Sequence, residues 1–391
     1  MGFNVIQCLR DLIAIPSVNP MRAGVDEPVE RALGAYVESS LRRAGIDCER
    51  QAVAEGRENL IALVSPSGRS SQSKRDGLML NSHMDTVPVA HMAIDPFDPV
   101  MRDGCIYGRG SCDAKASIAA MMAAVITHAE RRERPCPVVF VATVDEEFTF
   151  AGSWKLIERD WPVSACVVGE PTRLASIIAH KGVARLKVRV RGTSAHGATP
   201  ELGRNAIYDG ARVALALEAY AAELARRPPH RLLGRPTINT GRVQGGQAVN
   251  VVPDSCEFEI ERRLLPGEDA AMVIRECEDW VRKRAREDIE VIFEDPFLVD
   301  PALETSSEAA LVRALAEAQV AVTGLAGRIE GAHYGTDGSK LARAGIEAVV
   351  CGPGDIVQAH TEAEFVRVEQ VEWAVRLYDH LIAHWPVKAN R

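Results

Sequence analysis

Residues 78–88 have the sequence Leu-Met-Leu-Asn-Ser-His-Met-Asp-Thr-Val-Pro. Its apolar start is typical of the end of a buried strand, and polar side chains follow at once. His83 and Asp85 are separated by one residue, so an extended backbone would direct both side chains to the same face. A histidine beside a carboxylate is a common arrangement for a metal ligand and the residue that orients it. A surface histidine with a capping aspartate explains this stretch equally well, so the rest of the chain decides.

Two further apolar runs end in the same way. Residues 138–144 form a continuous run with several β-branched residues, and Glu146 and Glu147 follow it closely. Residues 166–169 form a second run, which ends at Glu170. Such runs are typical of central strands in a parallel sheet. Because sites collect beyond the carboxyl ends of parallel strands, these acids and the histidine of the first stretch are predicted to converge.

Strands alternate with helical segments, which predicts an α/β fold with a mostly parallel sheet flanked by helices. Residues 59–64 and 77–80 are predicted to be strands joined by a hairpin loop. Near residue 181 the pattern changes, and the order βαββαβ predicts a ferredoxin-like insertion over residues 181–295. The main domain is therefore predicted to consist of two parts, residues 1–180 and 296–391.

Composition excludes several classes of partner. The chain has 391 residues, enough for two domains, and a net charge of -8, which favours neither nucleic acid nor an anionic membrane as partner. It contains no run of about 18 apolar residues, and its first residues lack the basic and apolar regions of a secretory signal. The nine cysteines include no Cys-x-x-Cys pair, which indicates reduced thiols. We therefore expect a cytoplasmic protein.

Two histidines and three carboxylates are candidate metal ligands, namely His83, Asp113, Glu147, Glu170 and His360. This set suits zinc, with cobalt or manganese as substitutes. Five ligands exceed the need of one tetrahedral zinc, so one carboxylate could bridge two metals about 3.5–4 Å apart. Glu146 and Glu147 are adjacent, which favours one ligand and one general base. The alternative is that these acids form a charged loop or a helix start.

Together these motifs resemble those of a known family. They are His83-Met84-Asp85, Gly108-Arg109-Gly110 with Asp113-Ala114-Lys115, Asp145-Glu146-Glu147, Gly169-Glu170-Pro171-Thr172 and His360. Over nearly its whole length the chain resembles the zinc metallopeptidases that include acetylornithine deacetylase, succinyl-diaminopimelate desuccinylase, aminoacylase and glutamate carboxypeptidase. Two glycine-containing loops, residues 334–338 and 351–355, are most similar to the acetylornithine deacetylase branch.

The resemblance implies a dizinc centre, with Asp113 as ligand to both ions, His83 and Glu170 to one, and Glu147 and His360 to the other. It also implies that Asp85 orients His83 and that Glu146 is the general base. His196 matches a histidine that stabilises the oxyanion in the active site of the partner subunit. The inserted domain is accordingly expected to be a lid and to form a homodimer. An isolated histidine in a loop rich in glycine and serine is also commonly a surface residue.

Five residues fall at positions that the family uses for the substrate, namely Asn250, Arg263, Thr336, Asp337 and Gly338. The guanidinium of Arg263 offers a bidentate fork for a carboxylate. A structural salt bridge is the alternative role of this arginine.

The sequence therefore predicts metal-dependent hydrolysis of the amide bond of an N-acyl amino acid, with acetylornithine as the first candidate. The same site is compatible with removal of a succinyl group from diaminopimelate, or with dipeptidase or carboxypeptidase activity. A non-catalytic binder of small molecules on the same fold is an alternative from another class. Its expected sign, the loss of a ligand or of the base, is not present in the sequence.

Overall fold

The computed structural model describes residues 2–21, 29–67 and 76–385. The chain divides into two compact units. The first unit consists of Met1–Ile178, Thr305–Glu330 and Thr336–Arg391, and the second of Ala179–Glu304 and Gly331–Gly335. The insertion predicted at residues 181–295 lies within the second unit.

The elements that precede the second unit, with the strand that leads into it, are α1 (Val5–Ala14), α2 (Arg31–Arg43), β1 (Cys48–Ala54), β2 (Arg57–Val64), β3 (Gly77–His83), β4 (Val100–Arg102), β5 (Cys105–Tyr107), α3 (Lys115–Glu130), β6 (Val138–Thr143), α4 (Ala151–Leu156), β7 (Val163–Val168) and β8 (Ser176–His180). Those that follow are β9 (Gly182–Arg191), a 3-10 turn (Pro200–Leu202), α5 (Ala206–Leu224), β10 (Thr237–Gly245), β11 (Ser255–Leu264), α6 (Ala270–Arg284), β12 (Glu290–Phe293), β13 (Leu298–Asp300) and β14 (Leu303–Glu304). The last are α7 (Ala310–Thr323), β15 (Ile329–Ala332), α8 (Gly338–Arg343), β16 (Glu347–Val350), a 3-10 turn (Ile356–Gln358), β17 (Phe365–Arg367) and α9 (Val368–His384).

The main sheet of the first unit has the strand order β1-β2-β6-β3-β7-β16-β8. Its centre is parallel, because β3 pairs in parallel with both β6 and β7, and β7 pairs in parallel with β16. All seven residues of β3 are buried, as expected for a central strand covered on both faces. The predicted α/β class, with a largely parallel sheet flanked by helices, is confirmed.

The predicted hairpin between β2 and β3 is wrong. Strand β6 lies between them and pairs with β2 in antiparallel and with β3 in parallel orientation. The hairpin partner of β2 is β1, and the turn between these two strands contains Gly56 at a φ of 71°. Glycine adopts this left-handed conformation without the steric cost that other residues pay, so the tight connection forms here. Residues 68–75 of the predicted hairpin loop lie outside the described residues.

Helix α3 forms the interior of the first unit. Its sequence is rich in alanine and methionine on all sides, and such a helix is stable only when it is surrounded by protein. It packs against α1, α9 and β3. Among the described residues no helix is both long and apolar enough to cross a membrane.

The second unit contains β9, α5, β10, β11, α6 and β12 in that order, which confirms the predicted βαββαβ arrangement. Its antiparallel sheet has the order β10-β11-β9-β12, and β13 also pairs with β9. Inward residues such as Val188, Phe258 and Tyr220 form the core. The outward face is polar, and Lys187 Nζ donates to Glu257 Oε1 at 2.9 Å across the strands. This alternation is that of a sheet with one buried face.

Candidate metal centre

His83 forms one group with two side chains from other elements. It is the last residue of β3, whereas Asp113 precedes α3 and Glu170 follows β7. His83 Nε2 lies 3.0 Å from Asp113 Oδ1 and 3.7 Å from Glu170 Oε2. All three residues are buried. Because β3 and β7 are parallel neighbours, their carboxyl ends lie together and bring the side chains into one group.

A second group forms around His360, in the loop between β16 and β17. His360 Nε2 lies 3.2 Å from Asp113 Oδ2 and 3.4 Å from Glu147 Oε2. Asp113 therefore directs one carboxylate oxygen to each group. The side chain of His360 is 52% exposed, whereas that of His83 is 1% exposed. The second group thus opens toward solvent and the first does not.

The donor atoms fit divalent metal ions. Ligands at 2.0–2.1 Å from a tetrahedral ion lie about 3.3–3.4 Å apart, and the four donor separations given above range from 3.0 to 3.7 Å. Ligand atoms of His83, Asp113 and Glu147 all lie within 4.8 Å of one another. Oε1 of Glu147 and Oε1 of Glu170 are buried without a hydrogen-bond partner among the described residues. Imidazole nitrogens and carboxylate oxygens are the donors that zinc takes in proteins.

The negative charge of the site also favours a cation. Burial raises the pKa of Glu146, Glu147 and Glu170 above the ordinary range of a glutamate. Neighbouring carboxylates raise these values further, although the charge of His83 opposes them. Buried carboxylates that face one another cannot all ionise at low cost. A divalent cation between them would remove that cost.

The carboxylates in turn act on the pKa of the two histidines. Burial lowers the pKa of His83, but Glu170, Asp113 and other carboxylates more than offset it, so that the value lies well above normal. Hydrogen bonds to Asp113 and then to Glu147 raise the pKa of His360 to about 10. Metal ligands must be deprotonated, so metal binding would release these protons.

Asp85 holds the turn that carries Glu146 and Glu147. Its carboxylate accepts the backbone N–H groups of both residues at 3.1 Å and the side-chain amide of Asn19 at 2.8 Å. His83 Nδ1 lies 2.9 Å from the backbone carbonyl oxygen of Asp85 and 3.6 Å from its carboxylate. Asp85 therefore contacts His83 chiefly through its main chain.

A buried network behind this turn was missed from the sequence. Asn19 Nδ2 also donates to Asp145 Oδ1 at 2.9 Å, and Arg57 Nη1 donates to the same oxygen at 2.8 Å. The guanidinium of Arg57 also pairs with Glu30. The side chains of Arg57 and Glu30 are only 10% and 1% exposed. No local sequence signal marks these residues, because their partners are distant in the chain.

The predicted substrate loop Thr336-Asp337-Gly338 is buried in the first unit. Asp337 Oδ2 accepts the hydroxyl of Thr143, the last residue of β6, at 2.7 Å. The carbonyl oxygen of Thr336 accepts from Lys340 Nζ at 2.9 Å. The loop is thus anchored at the carboxyl end of a central strand. The charge of Asp337 also helps to raise the pKa of Glu146.

The other predicted site residues belong to the second unit. His196 is exposed, and its Nδ1 accepts the N–H of Ala198 at 3.1 Å. Asn250 is also exposed, and its backbone carbonyl accepts the N–H of Gly197 at 2.8 Å. Arg263 lies near the end of β11 and donates to Glu261 Oε1 at 2.7 Å. This salt bridge does not decide between the two roles, and substrate binding by Arg263 stays a prediction.

Comparisons with known proteins agree with the fold and identify similar proteins. The model of peptidase family M20/M25/M40 matches residues 79–384. The acetylornithine deacetylase of Myxococcus xanthus is 34% identical over 90% of this chain and 91% of its own. The crystal structure of aminopeptidase PepT from Bacillus cereus is 22% identical, with a TM-score of 0.77 over 97% of both chains. YXEP of Bacillus subtilis, described as a dinuclear metal-binding peptidase, is 18% identical with a TM-score of 0.70 over 97% of this chain and 96% of its own.

Proposed function

We propose that this chain, which belongs to peptidase family M20/M25/M40, removes the acyl group from an N-acyl amino acid by dizinc-dependent hydrolysis. It is a metal-dependent hydrolase that acts on amide bonds, in line with its family and its relatives. The observation that carries the proposal is the carboxylate of Asp113, which directs one oxygen to each of the two histidine–carboxylate groups.

The proposed ligands are Asp113 for both ions, His83 and Glu170 for one, and Glu147 and His360 for the other. When bound, the two ions supply positive charge that polarises the substrate carbonyl and lowers the pKa of the attacking water. Zinc suits the mixture of imidazole and carboxylate donors, and cobalt or manganese can replace it.

Glu146 is proposed as the general base. Its carboxylate takes a proton from the water that attacks the carbonyl carbon and then delivers this proton to the leaving nitrogen. Glu146 is buried, and the charges of His83, Glu170 and Glu147 act on its pKa, which supports a place beside the proposed ligands. The bonds from Asp85 to the N–H groups of the turn support the required orientation.

The second unit is proposed to be a lid that forms a homodimer and brings His196 to the active site of the partner subunit. There the imidazole would stabilise the oxyanion of the tetrahedral intermediate. Strand β10 is an edge strand whose residues are nearly all exposed. Exposed apolar side chains lie on it and on α5, among them Val243, Tyr208 and Leu215. Exposed edges and apolar surface of this kind favour pairing with a second copy.

Asn250, Arg263 and the Thr336-Asp337-Gly338 loop are proposed to bind the substrate, with Arg263 facing its carboxylate. Acetylornithine is the first candidate because the Myxococcus xanthus relative is an acetylornithine deacetylase. A cytoplasmic location is proposed as well, and the unpaired state of all nine cysteines supports it.

The test compares kcat/KM of the zinc-loaded protein for N-acetylornithine, N-succinyl-diaminopimelate and a simple dipeptide. We expect N-acetylornithine to be the best of the three. A faster reaction with either of the others would favour the desuccinylase or the peptidase alternative. Bound metal without hydrolysis of any N-acyl amino acid or peptide would favour a non-catalytic binder.

A further inference from the structure

Glu364 is a fully buried carboxylate that belongs to neither ligand group. Its Oε1 accepts the backbone N–H groups of Cys112 at 2.8 Å and of Asp113 at 2.9 Å. Its Oε2 accepts the N–H of Gly110 at 3.0 Å and Nη1 of Arg109 at 2.7 Å. All four donors therefore belong to the segment of residues 109–113, which ends at Asp113, the aspartate shared by the two groups.

This segment lies between β5 and α3, outside regular structure, so no strand or helix supplies acceptors for its N–H groups. Buried backbone N–H groups require a partner, and one ionised carboxylate offers enough lone pairs for several donors at once. A glutamine at the same place would turn an amide N–H₂ toward these donors. The site therefore selects a carboxylate and not merely a polar side chain.

The same residue connects the segment to the loop of the last candidate ligand. Glu364 follows His360 by four positions, and its backbone carbonyl accepts the N–H of Gly108 at 3.0 Å. Arg109 Nη2 also lies 3.5 Å from the carbonyl oxygen of Thr361, the residue after His360. Two loops that are about 250 positions apart in the chain are thereby joined through a buried ion pair.

We propose that Glu364 is a positioning residue of the metal centre, which fixes Asp113 relative to the loop of His360. The inference rests on the proposed function, because it requires metal at both groups. Asp113 contacts both groups, so a change in its position must weaken both metal positions together. Loss of a ligand from one group would weaken only one.

The test uses the full chain with Glu364→Gln, and Glu362→Gln as the matched control. Glu362 lies in the same loop with an exposed side chain, so the control removes the same charge without touching the segment. Metal-free protein is titrated with Co²⁺, followed by visible absorption and by competition with a chelator. Circular dichroism confirms that each variant is folded at the temperature used.

We expect two equivalents for the wild type and for Glu362→Gln, with equal affinities. Folded Glu364→Gln should bind both equivalents roughly 10–100-fold more weakly, the usual loss for a residue that orients a ligand, and its Co²⁺ spectrum should change. Unchanged binding, or weakening of one position alone, would overturn the proposal. If Glu364→Gln does not fold, Glu364→Asp keeps the charge on a shorter side chain and should weaken both positions.

Failure of both variants to fold would also overturn it, because Glu364 would then serve the fold and not the centre. If the wild type itself binds no Co²⁺, the dinuclear centre is wrong and the role of Glu364 falls with it. This outcome is distinguishable from a failure of the Glu364 proposal alone, because it is observed with the wild type and does not depend on any variant.

Discussion

The ligand candidates His83 and Asp113 of the first unit and the candidates His196 and Asn250 of the second unit differ in how the protein holds them. His83 and Asp113 are buried, and their side chains contact each other at 3.0 Å. His196 and Asn250 are exposed on loops. Protein contacts alone thus hold these two buried side chains in place, as a precise metal site requires. The roles proposed for His196 and Asn250 each require a substrate or a second subunit.

The largest expected effect concerns Glu146, the proposed general base, which is buried in the first unit. Glu146→Gln should lower kcat by roughly 10²–10⁴-fold, the range of general acid–base catalysis, because the amide cannot take the proton of the attacking water. Metal content, measured by plasma emission, should stay at the wild-type level, since Glu146 is not a proposed ligand. A variant with normal turnover would assign the base to another residue.

Arg57 tests whether the stability of the first unit depends on the buried ion pairs of this residue with Glu30 and Asp145. Arg57→Gln should lower the free energy of unfolding by roughly 3–5 kcal/mol, because Glu30 and Asp145 would be left buried without their cation. Arg50→Gln is the control, since Arg50 pairs with Glu38 and Glu58 but is 30% exposed. Exposed pairs contribute at most about 1 kcal/mol. Urea unfolding monitored by circular dichroism measures both variants, and equal losses would contradict the account.

His196 is exposed in the second unit, and its substitution tests the proposed cross-subunit role. His196→Ala should lower kcat by roughly 10²–10³-fold, as expected for the loss of one oxyanion donor, without a change in metal content or unfolding. Mixing this variant with Glu146→Gln and allowing subunits to exchange should restore activity. The restored sites would combine Glu146 of one chain with the partner's histidine. An inactive mixture in which mixed dimers have formed would contradict the cross-subunit role.

Asp85 should give the smallest of these effects. Asp85→Ala removes the acceptor for the turn N–H groups and for Asn19, but leaves the backbone carbonyl that contacts His83. Metal affinity should fall by roughly 10–100-fold, measured by chelator competition. Complete loss of one metal equivalent, as for a true ligand, would show that Asp85 acts more directly.

The parallel strands and their polar carboxyl ends were predictable, because continuous apolar runs and the acids after them are local features of the sequence. The βαββαβ order was predictable from alternation in strands such as β9 and β11. The pairing of β2 with β6 was not predictable, because strand order depends on contacts between distant segments. The same limit applies to Arg57 and Glu364, whose contacts join residues far apart in the chain.

The metal content of the full chain, purified without chelator and measured by plasma emission, tests the dinuclear centre directly. We expect two equivalents for the wild type, one for His83→Ala and none for Asp113→Ala, because Asp113 is the ligand that the two positions share. A wild type without bound metal, or an Asp113→Ala variant that keeps both equivalents, would contradict this expectation.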